Sequence, residues 1–318
     1  MKYLFKNLFK QILTKLIMKI PVTFLGTSSA VPTETRNHVA MLLDYKNEHI
    51  LIDCGEGTQR QFRKAHINPG TITRLLITHF HGDHVFGLPG LFHTLSLNNY
   101  SKTLYIYGPK GTKKFIEDIF KTFIQNKKIK YEVEEVSGKF LKTKDFELTA
   151  LALDHDAPCN GYLFVEKDKL RIDKEKLKKL HVSQKNPELA KLTLGKNIKI
   201  NKKTINYKTL TYKQKGKKIS IILDTKLCNN TKKLAKSDLT IIESTFLESS
   251  ENGKELAKEY KHLTAKQAAE LAKKGNAKQL VLTHISQRYE HKENLLLEEA
   301  KKVFKNTIIA QDLSKVEI

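Results

Sequence analysis

Acidic residues are scarce in this chain. Its 318 residues hold 34 aspartates and glutamates against 57 lysines and arginines, a formal net charge of +23. Such an excess repels itself unless something anionic lies across it, so nucleic acid or an acidic membrane surface is the expected partner. Cysteine is scarcer still. Cys54, Cys159 and Cys228 are far apart, odd in number and without a C-x-x-C pair. That excludes a disulfide framework and a cysteine zinc site, and leaves thiols that pack in a reducing cytoplasm. There is no run of about 18 apolar residues, so a membrane-spanning helix is not expected. Disorder is excluded in turn, because 40% of the residues are hydrophobic and can bury a core.

The first 17 residues stand apart. Leu4, Phe5, Leu8, Phe9, Ile12, Leu13, Leu16 and Ile17 form an i, i+4 stripe, with Lys2, Lys6, Lys10 and Lys15 alongside. Without a continuous apolar centre this is not a signal peptide. It reads as a basic amphipathic extension: a helix for weak membrane-surface contact, a self-association helix, or an added segment before Met18. Residues 18–318 read as one domain.

In that domain, short apolar runs punctuated by Gly, Pro, Asn and Asp predict strands. They are Val22–Leu25, Val39–Asp44, Ile50–Ile52, Leu75–Thr78, Leu104–Tyr107, Leu148–Leu153, Tyr162–Val165, Ile219–Asp224, Leu239–Glu243, Gln279–Thr283 and Thr307–Ala310. Helices are expected over Lys113–Gln125, over Ala265–Lys274 between Thr264 and Gly275, and over Lys292–Phe304. Leu88–Tyr100 reads as a loop. No repeat is visible. The mixture predicts a layered α/β domain. Residues 166–218 differ in character, with 17 lysines and Arg171 against five acids, a net +13. This segment reads as an inserted arm.

Thr78–His84 reads T-H-F-H-G-D-H. In an extended chain His79 and His81 leave on one side, and Gly82 permits the bend that turns Asp83 and His84 toward a second point. Imidazole and carboxylate suit zinc, and manganese or iron(II) as well. Two such ions about 3.5–4 Å apart clamp a phosphate and activate water. Further ligand types end other expected strands: His155 in Asp154-His155-Asp156, Asp224 after Ile219–Leu223, and His284 after Gln279–Thr283. Ligands gathered beyond one end of a sheet are a common way to build a site in α/β folds.

The Thr78–His84 motif resembles the signature of the metallo-β-lactamase superfamily, and its surroundings resemble ribonuclease Z, the tRNA 3′-endonuclease family. Four other stretches carry the narrower likeness: F-L-G-T-S-S-A-V-P-T-E-T-R-N (Phe24–Asn37), L-I-D-C-G-E-G-T-Q-R-Q (Leu51–Gln61), G-D-H-V-F-G-L-P-G-L-F-H-T-L-S (Gly82–Ser96) and V-L-T-H-I-S-Q-R-Y (Val281–Tyr289). The chain departs from the family in Leu223 before Asp224, in Ile242 before Glu243, and in Asn186-Pro187 where the arm usually carries Gly-Pro.

The resemblance implies a four-layer αββα sandwich with residues 166–218 as an inserted tRNA-binding arm. It implies two zinc ions per subunit. His79, His81, His155 and Asp224 would hold one; Asp83, His84, Asp224 and His284 would hold the other. Asp83 would also orient or deprotonate the attacking water, His262 would protonate the leaving oxygen, and Glu243 would orient His262. A histidine titrating near neutrality and set by a carboxylate suits that role. Arg36, Asn37, Thr58 and Gln59 are expected near the substrate, and Lys178 and Lys179 on the arm. A cytoplasmic homodimer acting on precursor tRNA follows from the same resemblance. Two other readings compete: a different hydrolase of the same fold, which would not need the basic arm, and a non-catalytic RNA-binding protein, which would not need a complete ligand set.

Overall fold

The computed structural model describes residues 19–124, 129–180, 182–183, 186–200 and 203–318. The expectation for residues 1–17 lies outside the described residues. The chain forms two compact units, one of the described residues up to Phe140 with Thr149–Leu163 and Ile219–Ile318, the other of Leu141–Leu148 and Phe164–Lys218.

Two seven-stranded sheets dominate. The first runs in the order Lys315–Glu317, Pro21–Gly26, Ala40–Tyr45, Glu48–Ile52, Arg74–Leu76, Thr103–Gly108, Lys130–Glu135. Its first four strands are antiparallel to their neighbours, and from Glu48–Ile52 onward the pairing is parallel. The second runs in the order Thr307–Ile309, Gln279–Thr283, Leu239–Glu243, Lys218–Ile222, Cys159–Glu166, Phe146–Leu153, Gly138–Lys142. Its first four strands are parallel.

Alternation places every second residue of a strand on one face. On the first sheet, Leu42, Leu51, Leu75, Leu104 and Ile106 pack beneath Phe62, Leu91, Phe92, Ile116 and Phe120, from the helices Thr58–Lys64, Leu88–Leu97 and Thr112–Phe123. On the second, Ile222, Ile242, Leu280 and Leu282 pack beneath Leu234, Ala268, Ala269, Leu271 and Leu296, from the helices Asn229–Leu234, Ala265–Lys274 and Asn294–Val303. The intervening residues Met41, Leu43, Ile50, Ile219, Ile221, Ile241 and Val281 are buried too. They fill the layer between the sheets, where Tyr162 Oη donates to Ile77 O at 2.6 Å. Strands covered on both faces explain why these segments read as continuous apolar runs. The result is the αββα layering.

Thr264 caps the Ala265–Lys274 helix: its hydroxyl accepts from Gln267 N while the Gln267 side chain accepts from Thr264 N. Leu88–Tyr100 is not a loop, because Leu88–Leu97 is helical with Pro89 in its first turn, where no amide donor is needed. The second unit has its own small core of Leu177, Val182, Leu189, Leu192, Ile198 and Leu210. Around it lie a Lys169–Ile172/Thr211–Gln214 ladder and the helix Lys174–Lys179, whose N-cap is Asp173. No helix among the described residues is long and apolar enough to cross a membrane.

Candidate metal centre

Parallel strands end at the same edge of a sheet, so residues that follow them gather there. Asp53 follows Glu48–Ile52, His79 comes just beyond Arg74–Leu76, Asp224 follows Lys218–Ile222, Glu243 ends Leu239–Glu243, and His284 follows Gln279–Thr283. Asp53, Asp224 and His284 take positive φ values of 54°, 44° and 56° as the chain turns off its strand. Non-glycine residues seldom hold that conformation without support from their surroundings. Gly55 allows the Asp53 turn to close on the metal loop, because a β-carbon there would lie 2.3 Å from Asp83 O. Cys54 N then donates to His84 O at 2.8 Å.

The structure brings together both expected ligand groups. One is His79, His81, His155 and Asp224; the other is Asp83, His84, Asp224 and His284; in each the ligand atoms lie within 4.8 Å of one another. Asp224 is common to both. His84 Nε2 lies 3.2 Å from His284 Nε2 and 3.3 Å from Asp224 Oδ1. His284 Nε2 is 3.2 Å from Asp83 Oδ2.

The outer partners fix which nitrogen faces inward. His84 Nδ1 donates to Asp53 Oδ2 at 2.8 Å. Thr78 Oγ1 donates to the same oxygen at 2.7 Å and accepts from His79 Nδ1 at 3.1 Å. Thr245 repeats the arrangement, donating to Glu243 Oε2 at 2.7 Å and accepting from His284 Nδ1 at 3.1 Å. The Nε2 lone pairs of His79, His84 and His284 therefore converge on Asp83 and Asp224. Among the described residues, His79 Nε2 and Asp224 Oδ1 are buried without a hydrogen-bond partner. Lone pairs and carboxylates crowded together without protons to share fit bound cations.

The buried carboxylates call for positive charge at this point, which the histidines supply in the absence of a cation. Burial, and then the neighbouring His84, hold His79 well below the usual histidine range. Burial opposes charge on His84, yet Asp224, Asp83 and Asp53 together hold it well above that range. Burial likewise opposes the ionised carboxylates of Asp83 and Asp224, and the facing histidines keep both well below the usual carboxylate range.

Beside the second group stands Glu243, fully buried, with His262. Glu243 Oε2 accepts from His262 Nδ1 at 2.9 Å, and Glu243 Oε1 accepts from Thr225 N at 2.6 Å. Burial disfavours the imidazolium, but Glu243 overcomes this and raises His262 to about 9. The His262 ring centroid is 5.6 Å from that of His284 and 5.2 Å from that of His155.

The remaining expected residues fall elsewhere. Arg36 is buried, and its guanidinium is consumed within the protein by Glu293, Thr27 and Ala310 O, which corrects the expectation of direct contact. Thr58 is buried with its hydroxyl on Gly55 O, so it closes a turn instead of meeting a ligand. Asn37 is half-buried and donates to Glu56 O at 2.6 Å, and Gln59 is exposed and bonds Thr94. Lys178 and Lys179 are exposed on the Lys174–Lys179 helix. Cys54 and Cys159 are buried and free; burial pushes the Cys54 thiol up to about 12, so it is inert. Thr78 and Thr245 were visible in the sequence only as neighbours of ligands and of Glu243. The bridge that each hydroxyl makes, donating to a carboxylate and accepting from a histidine, appears only in the fold.

Comparison with known proteins adds to this geometry. The family model described as "Anti-Pycsar protein Apyc1" matches residues 20–224. A ribonuclease Z of Nanoarchaeum equitans is 37% identical over 299 residues, covering 93% of this chain and 92% of its own. A ribonuclease Z of Anoxybacillus flavithermus is 39% identical over 308 residues, covering 93% of this chain and 96% of its own. The crystal structure of the short form of human tRNase Z superposes with a TM-score of 0.68 at 30% identity, over 93% of this chain and 98% of that one.

Proposed function

The chain belongs to the ribonuclease Z family, and from that premise we infer that it is a metal-dependent endoribonuclease. It cuts the 3′ trailer from precursor tRNA and leaves a 3′-hydroxyl on the tRNA. We propose that two ions serve the reaction, with zinc as the first candidate, held by the two groups that share Asp224. When bound, the ions supply an acidified water and draw charge from the phosphate.

The residues of the chain do the rest. Asp83, kept ionised by His84 and His284, accepts from Ala30 N at 2.8 Å through Oδ2 and is available to orient a water or take its proton. Glu243 holds Nδ1–H of His262, so Nε2 is the atom free to act. Held by the Glu243 carboxylate, which favours the imidazolium, His262 is placed to carry a proton and deliver it to the departing 3′ oxygen of the tRNA. The single observation that carries this reading is the pairing of His262 with the buried Glu243 beside a double histidine–carboxylate cluster. A structural metal site needs no acid beside it.

Affinity for so large a substrate is assigned to residues 166–218. Lysine neutralises phosphates whatever the sequence, which suits an enzyme that acts on many tRNAs of one shape. A homodimer, in which each arm grips tRNA cut by the other subunit, is part of this proposal, as is a cytoplasmic location.

The decisive experiment incubates pure protein with a 3′-extended precursor tRNA and maps the product ends, with a chelator and a His262→Ala variant as controls. One cut after the discriminator base, abolished by chelator and greatly slowed in the variant, is expected. Tight tRNA binding with no cut would favour the binding-protein reading instead.

A further inference from the structure

The segment from Thr27 to Asn37 touches the metal centre at two points. Ala30, left-handed with φ 53°, donates its amide to Asp83 Oδ2 at 2.8 Å. Thr27 O accepts from Ile285 N at 2.9 Å, next to His284. Asp83 and His284 belong to the same ligand group and lie 3.2 Å apart. No such contact joins the segment to His79, His81 or His155 in the hydrogen bonds of the described residues.

Behind the segment lies a closed ring of bonds. Asp312 Oδ1 accepts from Thr27 Oγ1 at 2.7 Å, and Asp312 Oδ2 accepts from Asn37 N at 2.7 Å and from Gln61 Nε2 at 2.8 Å. Arg36 Nη1 donates to Thr27 Oγ1 and to Ala310 O, each at 2.7 Å, and Arg36 Nε donates to Glu293 Oε1 at 3.1 Å. Ala310 N in turn donates to Leu282 O at 2.8 Å, two residues before His284. Asp312 and Arg36 thus tie both ends of the segment to each other and to the strand that delivers His284.

We infer that Asp312 and Arg36 are positioning residues for one metal ion only, the one assigned to Asp83, His84, Asp224 and His284. The inference rests on the two-ion reading above. Neither side chain touches a ligand. They act through the Ala30 amide on Asp83 and through Thr27 O on the His284 turn. Neutralising the carboxylate breaks this ring. All three partners of Asp312 are donors, so the amide of Asp312→Asn must turn its NH2 toward at least one of them. Arg36→Lys keeps the charge but cannot span Glu293, Thr27 and Ala310 O with one nitrogen.

The test titrates zinc into metal-free full-length protein against a chromophoric chelator and resolves two equivalents. Wild type, Asp312→Asn, Arg36→Lys and a reference variant, Asp83→Asn, are compared. Both clamp variants should hold the first equivalent as wild type does and bind the second about tenfold or more weakly, as is usual when support for a ligand is lost. Asp83→Asn should weaken the same equivalent. Clamp variants that bind both equivalents as tightly as wild type, while Asp83→Asn loses one, overturn the clamp and leave the two-ion reading intact. Equal weakening of both equivalents also overturns it, since that is general loosening. A wild-type protein that binds one equivalent only overturns the two-ion reading itself.

Discussion

His262 Nδ1 lies 2.9 Å from Glu243 Oε2, and this bond leaves the ring a single nitrogen with which to act. Glu243 is fully buried and also receives Thr225 N and the Thr245 hydroxyl, so it cannot swing away from the histidine. Removing the imidazole should lower kcat on precursor tRNA by about 10²–10⁴-fold, the usual worth of a positioned acid. Glu243→Gln should cost a smaller factor in the same parameter. Because neither side chain is assigned to tRNA affinity, KM should stay within about twofold. A large rise in KM with kcat preserved would show that the pair binds and does not catalyse.

The same pair makes the stability of metal-free protein depend on pH. His262 titrates at about 9 in the fold, above its ordinary 6.5. A raised folded-state value means that the stabilisation is fully present below pH 6.5 and is lost as pH rises through about 9. Its size is of order 3 kcal/mol at most. The difference in unfolding free energy between chelated wild type and chelated His262→Gln should therefore shrink between pH 6.5 and 9. A difference constant over that window would mean that the imidazolium is not stabilised by Glu243.

Thr245 couples the acid to the metal centre, since one hydroxyl donates to Glu243 and accepts from His284. Thr245→Val keeps the shape and loses both bonds. It should weaken metal binding by about 10–100-fold, while Thr245→Ser should restore most of it. Equal loss in Val and Ser variants would point to packing of the methyl group instead. Thr78 makes the equivalent bridge from Asp53 to His79.

The fold shows which of these relations sequence can carry. The histidines and aspartates that the fold gathers were legible as a group because they follow short apolar runs, and for Asp224 and His284 parallel strands turn that local fact into a shared location. The Ala265–Lys274 helix was legible because Thr264, Gln267 and Gly275 all act within a few residues of its ends. The Leu88–Leu97 helix was not. Leu88, Leu91, Phe92, Thr94, Leu95 and Ser96 are all buried, so the polar stripe that betrays a surface helix is missing, and Pro89-Gly90 reads as a turn. Arg36 was misread for a different reason. Its partners Glu293 and Ala310 are 257 and 274 residues away, and nothing near Arg36 in the chain announces them. A charged residue in a polar loop reads as exposed until the fold supplies its counter-charge.

Residues 166–218 carry a net +13, and the two lysines singled out there, Lys178 and Lys179, project from a helix anchored by Leu177 in the unit's own core. If they meet tRNA phosphates, each releases condensed counterions on binding, and affinity falls steeply with salt. Replacing both with alanine should reduce the slope of log affinity against log salt by about two, roughly one per lost phosphate contact. Hydrolysis of bis(p-nitrophenyl) phosphate, a diester without a tRNA body to grip, should not change. An unaltered salt slope would place the tRNA grip on other lysines of the segment. Loss of small-substrate hydrolysis would mean that the arm supports the metal centre as well as the RNA.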